Sequence, residues 1–285
     1  MKATSSCVLF AFALLLPLSG IHAAEERSSD PLERIISSAA EPDFIVRHRL
    51  LHTLDGNRLH HSADRLLQYL SQPAVPPPGM AANDYHSLRN DIADLLIAHS
   101  IAPAELLRIS VATIADASGD LIWRDYCIQK LPEMLNAEGV TEHDRKAAAM
   151  LIDQLTADSH SGLAGTTLIA AMRLGRTPAA QLAPPTEILA ERAIAIARAE
   201  GAALPDRITA LQIAAIHGHP DTATVALTWL EDRSDTSITM LRVAALAALG
   251  ELGDPAHYDQ ILRYRYSADT RLRAAARTAL ARVEN

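Results

Sequence analysis

Four histidines crowd residues 48–61: His48 and His52 at the i, i+4 spacing that stacks two imidazoles on one helix face, then His60 and His61 a turn beyond Gly56. Two imidazoles so placed can bind one metal ion, typically zinc. The pattern of a zinc-protease helix is not met, because Arg49, Leu50 and Leu51 stand between His48 and His52 with no Glu among them. No nearby Cys completes a structural zinc site either. Flanked by Arg47, Arg49, Arg58 and Asp64, the same histidines have a plainer reading as a solvated polar face. A metal-dependent or accessory enzyme using His48, His52, His60 and His61 is the alternative reading of the chain, and no cofactor is assigned.

A second grouping is His217-Gly218-His219-Pro220-Asp221. It puts two imidazoles and a carboxylate in one expected inter-helix turn. The plainer reading gives each a structural task, with His217 ending one helix, where the macrodipole favours it, and Asp221 capping the next. Other enzyme signatures are missing from the sequence: there is no Gly-x-Ser-x-Gly elbow, no phosphate-binding glycine loop and no dinucleotide fingerprint. Cys127, in Asp125-Tyr126-Cys127-Ile128-Gln129, reads as a packed helical residue rather than a reactive thiol. The expectation is a non-catalytic protein.

Charge offers a different kind of chemistry. The formal net charge is −8 at pH 7, which argues against general nucleic-acid binding. The C-terminal stretch departs from that average, with Arg263, Arg265, Arg271, Arg273, Arg277 and Arg282 set against Asp269 and Glu284, and with Tyr264 and Tyr266 interleaved. Arg and Tyr dominate binding hot spots because they offer planar area with fixed donors. Arg263, Tyr264, Arg265, Tyr266, Arg271, Arg273 and Arg277 are therefore the partner-binding candidates. Against this, an Arg at the second position of a repeated helix, as at Arg242 and Arg273, commonly pairs with a neighbouring Asp, here Asp254.

The elements that must position these residues are helices. Low aromatic content (4%) with abundant Ala and Leu favours close helix–helix contact. Helix-period segments run over 43–54, 62–70, 85–99, 104–115, 121–135, 141–156, 163–174, 186–200 and 206–217, and no run alternates long enough to be a strand. Repetition is clearest at the C-terminus, where Leu241-Arg-Val-Ala-Ala-Leu-Ala-Ala-Leu249 matches Leu272-Arg-Ala-Ala-Ala-Arg-Thr-Ala-Leu280, with a weaker copy from Ala210. Each unit is then a helix, a Gly/Asp/Pro turn and a second helix, and neither helix can bury its apolar face without the next unit.

In Leu241-Arg-Val-Ala-Ala-Leu-Ala-Ala-Leu-Gly-Glu-Leu-Gly-Asp-Pro255 the chain resembles the HEAT-repeat family in its short bacterial form, shared with phycobilin-lyase-like repeats. The resemblance covers residues 206–285 and implies an all-α, right-handed α-solenoid; the helix-period segments together with the C-terminal helices make roughly seven antiparallel helix pairs. Some HEAT-like proteins are di-iron hydroxylases that use repeated His-Glu pairs, but no His here is followed by Glu, so those ligands do not carry over. Bilin lyases act inside the cell, which the N-terminus does not match.

Lys2, the apolar run Cys7–Leu18 and the small residues Ala23-Ala24 read as a cleavable signal peptide over 1–23, too short for a membrane span. Its removal leaves Cys127 as the sole thiol, so an internal disulfide is impossible. Residues 24–285 form one solenoid: divergent repeats over 24–176, broken by a proline-rich loop at 72–83, and clear HEAT-like repeats over 186–285. The resulting expectation is a periplasmic or secreted scaffold or assembly factor with protein partners in the cell envelope.

Overall fold

The computed structural model describes residues 30–78, 80–232 and 238–284. The signal segment 1–23 lies outside them. The described residues form no strand; their helices are α1 (Pro31–Ile36), α2 (Phe44–Leu51), α3 (Gly56–Ser71), α4 (Ala82–Ala98), α5 (Pro103–Ala115), α6 (Leu121–Leu135), α7 (Glu142–Thr156), α8 (Ala164–Leu174), α9 (Thr186–Arg198), α10 (Leu204–Ile216), α11 (Thr222–Glu231), α12 (Ile238–Leu252), α13 (Tyr258–Leu262) and α14 (Thr270–Val283).

Helix starts follow local chemistry. Asp30, Asp43, Asp55, Asp120, Thr141 and Asp269 each accept a first-turn backbone N–H, the role for which short oxygen-bearing side chains are suited. The segment expected over 62–70 begins earlier, at Gly56, because Asp55 accepts the Arg58 N–H at 2.8 Å and starts the helix there. His60 and His61 consequently ride on α3, on the solvent side opposite Leu59 and Ala63.

The fourteen helices of the described residues stack as seven pairs in two layers. Even-numbered helices contact one another in succession from α2 to α14, and odd-numbered helices do so from α1 to α11. The architecture is an all-α solenoid. From α6 onward the even layer packs more closely than the odd one, and unequal spacing of two joined layers bends a stack toward the tighter layer. Small residues permit that spacing: Ala170 and Ala171 of α8, Ala210 and Ala214 of α10, and Ala245 and Ala248 of α12 are buried. Gly250 marks the tightest crossing, since a Cβ there would stand 2.6 Å from Ala279 Cα of α14.

Arginines join one helix to another. Helix C-termini leave carbonyls without intrahelical partners, and a buried orphan carbonyl costs about 1–3 kcal/mol. Here the end of each odd-numbered helix from α1 to α11 meets an arginine from a later helix. Arg47 donates to Ile35 O (2.7 Å), Arg124 to Ile114 O (3.0 Å), Arg192 to Asp153 O (3.0 Å) and Arg207 to Ala197 O (3.1 Å). Arg242 donates to Asp232 O. Arg89, fully buried, reaches Tyr69 O, Leu70 O and Gln72 O at the end of α3 and also lies over the rings of Tyr69, Tyr85 and Trp123. The expected Arg242 and Arg273 pairing with an aspartate carboxylate is therefore replaced by bonds to main-chain oxygens, Ser267 O in the case of Arg273. Asp254 instead accepts the Ala256 N–H.

Two substitutions test this packing. Arg124→Met strands the Ile114 carbonyl and is expected to lower unfolding free energy by about 2 kcal/mol or more, whereas exposed Arg263→Met stays within about 0.5 kcal/mol in the same urea titration. Gly250→Ala pushes α12 from α14 and is expected to cost about 1–3 kcal/mol, read as a lowered denaturation midpoint.

Candidate functional sites

The N-terminal histidines separate into two groups. His48 lies in α2 and His52 is its C-cap residue, so the i, i+4 spacing holds and their ring centroids are 4.5 Å apart. Asp91 of the adjacent α4 completes the group, with its Oδ2 3.0 Å from His48 Nε2. One ligand atom from each of His48, His52 and Asp91 can be chosen so that all lie within 4.8 Å of one another. His60 and His61 do not join them. Both are exposed on α3, and His61 Nδ1 faces Asn57 O at 2.7 Å within its own helix.

Sequence alone does not single out Asp91, because it is one carboxylate in an ordinary amphipathic segment. A signal was present: Asp91 stands beside Ile92 and three residues after Leu88, both fully buried, which puts it at the edge of the packed stripe of α4.

The His217-to-Asp221 turn does not gather its three side chains on one point. His217 caps α10, and burial together with Arg176 lowers its pKa. His219 is buried with Nε2 3.3 Å from Glu191. Asp221 makes no side-chain cap to α11; its carboxylate pairs with Arg198 at 2.7 Å.

The C-terminal candidates divide by task. Tyr264 is half-buried and donates to Leu230 O at 2.9 Å, joining the end of α13 to α11. Arg271 pairs with Asp269 at 3.0 Å, and Arg273 holds Ser267 O. Arg263, Arg265, Tyr266 and Arg277 face solvent, with Arg265 over the Tyr266 ring at 5.7 Å and Tyr266 itself 80% exposed.

Further features emerge only with the fold. A cavity of about 350 Å³ opens between α1, α3 and the proline-rich connection, walled by Arg47, Arg65, Tyr69 and Val75 among others. Burial pushes the Tyr69 phenol up to about 12. Between α8 and α10, buried Asp206 accepts the Gly165 N–H at 2.9 Å, and burial raises its carboxyl pKa. Cys127 is buried, and burial pushes its thiol up to about 12, which makes it a core residue without thiolate character at neutral pH.

These surfaces belong to a helical-repeat solenoid. No family profile matches the chain, and no curated protein matches it. Among solved structures it is similar to human deoxyhypusine hydroxylase in complex with glycerol, at 14% sequence identity over 89% of this chain and 94% of that one, with a TM-score of 0.32. No helix among the described residues is long and apolar enough to cross a membrane.

Cys127 is expected to resist alkylation by iodoacetamide in the native protein and to react at once in denaturant, as followed by mass spectrometry. For Asp206 the folded pKa is raised, so the ionised carboxylate is disfavoured in the fold and stability from this group declines as pH rises through the folded value. Asp206→Asn keeps the acceptor for Gly165 without the charge. Its stability relative to wild type is expected to improve from the ordinary carboxyl value of 3.8 upward until the pH passes the folded value, as measured by melting temperature.

Proposed function

We propose that the protein is an exported HEAT-like scaffold of the cell envelope that binds an acidic segment of a partner protein and performs no catalysis of its own. The observation that carries this reading is the exposed group Arg263, Arg265, Tyr266 and Arg277 at one end of a chain whose formal net charge is −8. A cationic patch on an otherwise acidic molecule selects an anionic partner. Tyr266 adds a planar apolar surface beside the guanidinium of Arg265, the combination found in binding hot spots.

The even layer supports a longer footprint. Ile45 of α2, Ile122 of α6, Ile169 of α8, Ile216 of α10 and Met240 of α12 are each exposed, so these helices offer apolar contacts to an extended chain laid across them. Solenoids present such extended surfaces because each repeat adds one more strip.

Arg263→Glu, Arg265→Glu and Arg277→Glu combined leave the helix-capping arginines intact, so the variant is expected to keep its circular dichroism and melting temperature. Affinity recovery from a native envelope extract is expected to lose the partner, with a fall of about 30-fold or more once that partner is purified and titrated. Unchanged recovery would remove the patch from the reading. Sequencing the N-terminus of the exported protein checks the compartment, with a start near residue 24 expected.

A further inference from the structure

We infer that His48, His52 and Asp91 form a binding site for one divalent first-row transition metal, zinc being the probe of choice. This goes beyond the scaffold reading and does not depend on it.

The donor set fixes the class of ion. Two imidazoles, which are borderline ligands, together with one carboxylate suit zinc and its first-row neighbours; magnesium and calcium prefer oxygen alone. For His48 and Asp91 the spacing fits as well, and one ligand atom of His52 lies within 4.8 Å of both. Around a tetrahedral zinc with bonds of about 2.0–2.2 Å, neighbouring ligand atoms stand roughly 3.3–3.5 Å apart. His48 Nε2 and Asp91 Oδ2 are 3.0 Å apart, so the carboxylate need only draw back by a few tenths of an ångström.

The environment of Asp91 Oδ2 is the second observation. This oxygen is shielded from solvent and makes no hydrogen bond of good geometry, although His48 Nε2 stands beside it. A buried carboxylate oxygen left in that condition is costly, and a shared cation would satisfy it together with the imidazole. Backbone placement adds to the attraction. His52 caps α2, where the negative end of the helix dipole favours a positive charge.

The helices make the site rigid on two sides and open on the third. α2 and its C-cap supply both histidines and α4 supplies Asp91, and these two helices pack directly. His48 is 40% exposed at its side chain and His52 lies on the surface, so both imidazoles are accessible to an ion from solvent.

The test is calorimetric titration of the full chain, prepared without a polyhistidine tag, with zinc sulfate, alongside melting temperature with and without zinc. One equivalent is expected to bind and raise the melting temperature. His52→Ala and Asp91→Asn are each expected to weaken binding by more than about 100-fold, while the His60→Ala, His61→Ala double variant binds as wild type. His52 is exposed, so its loss leaves the fold intact and keeps the test independent of any packing defect at Asp91. Absence of saturable one-equivalent binding, or binding that survives either His52→Ala or Asp91→Asn, would overturn the assignment.

Discussion

The rest of the structure depends on the way helix ends are closed by arginine. A solenoid repeats a short turn between helices, and each turn exposes the last carbonyls of the helix before it just where the next element covers them from water. An arginine ten residues further on is the recurrent solution, as in Arg124 to Ile114, Arg207 to Ala197 and Arg242 to Asp232. The guanidinium has several donors in a fixed fork and a long apolar stem, so it can lie along the core and still saturate a carbonyl at its far end. Each such bond is local in sequence yet sets the angle between two helices.

Between repeats a second regularity appears. Hydrogen bonds that join corresponding helices of the third, fourth and fifth pairs link residues 36 to 44 apart, as in Arg192 to Thr156 and Arg173 to Gln129. Those among the last three pairs fall mostly at 31 to 34, as in Arg282 to Glu251 and Tyr264 to Leu230. The longer upstream units contain additional loop residues, including Pro178, Pro184 and Pro185. The period therefore changes along the chain while the two-layer packing does not.

The candidate sites follow from this stacking. Residues one repeat apart become neighbours on one face, which is how His48 meets Asp91 from the following even helix. At the C-terminal end no further helix follows among the described residues, and the exposed Arg263, Arg265, Tyr266 and Arg277 lie on that last pair and its connection. The two candidate surfaces thus sit in the first two pairs and in the last, well separated along the stack.

Helix identity and the apolar faces were legible in the sequence, because a 3.6-residue period is a local property, whereas the cap read at Asp221 gave way to its pairing with Arg198. The i, i+4 relation of His48 and His52 was legible for the same reason. Helix α1 was not: six residues are too few to establish a period, and its start rests on the cap from Asp30. Asp91 as the third partner, the withdrawal of Tyr264, Arg271 and Arg273 into structural contacts, and the carbonyl targets of the arginines were decided only by the tertiary structure. Those outcomes depend on which side chains face one another across a repeat, and that register is set by loop lengths and side-chain volumes that no single segment contains.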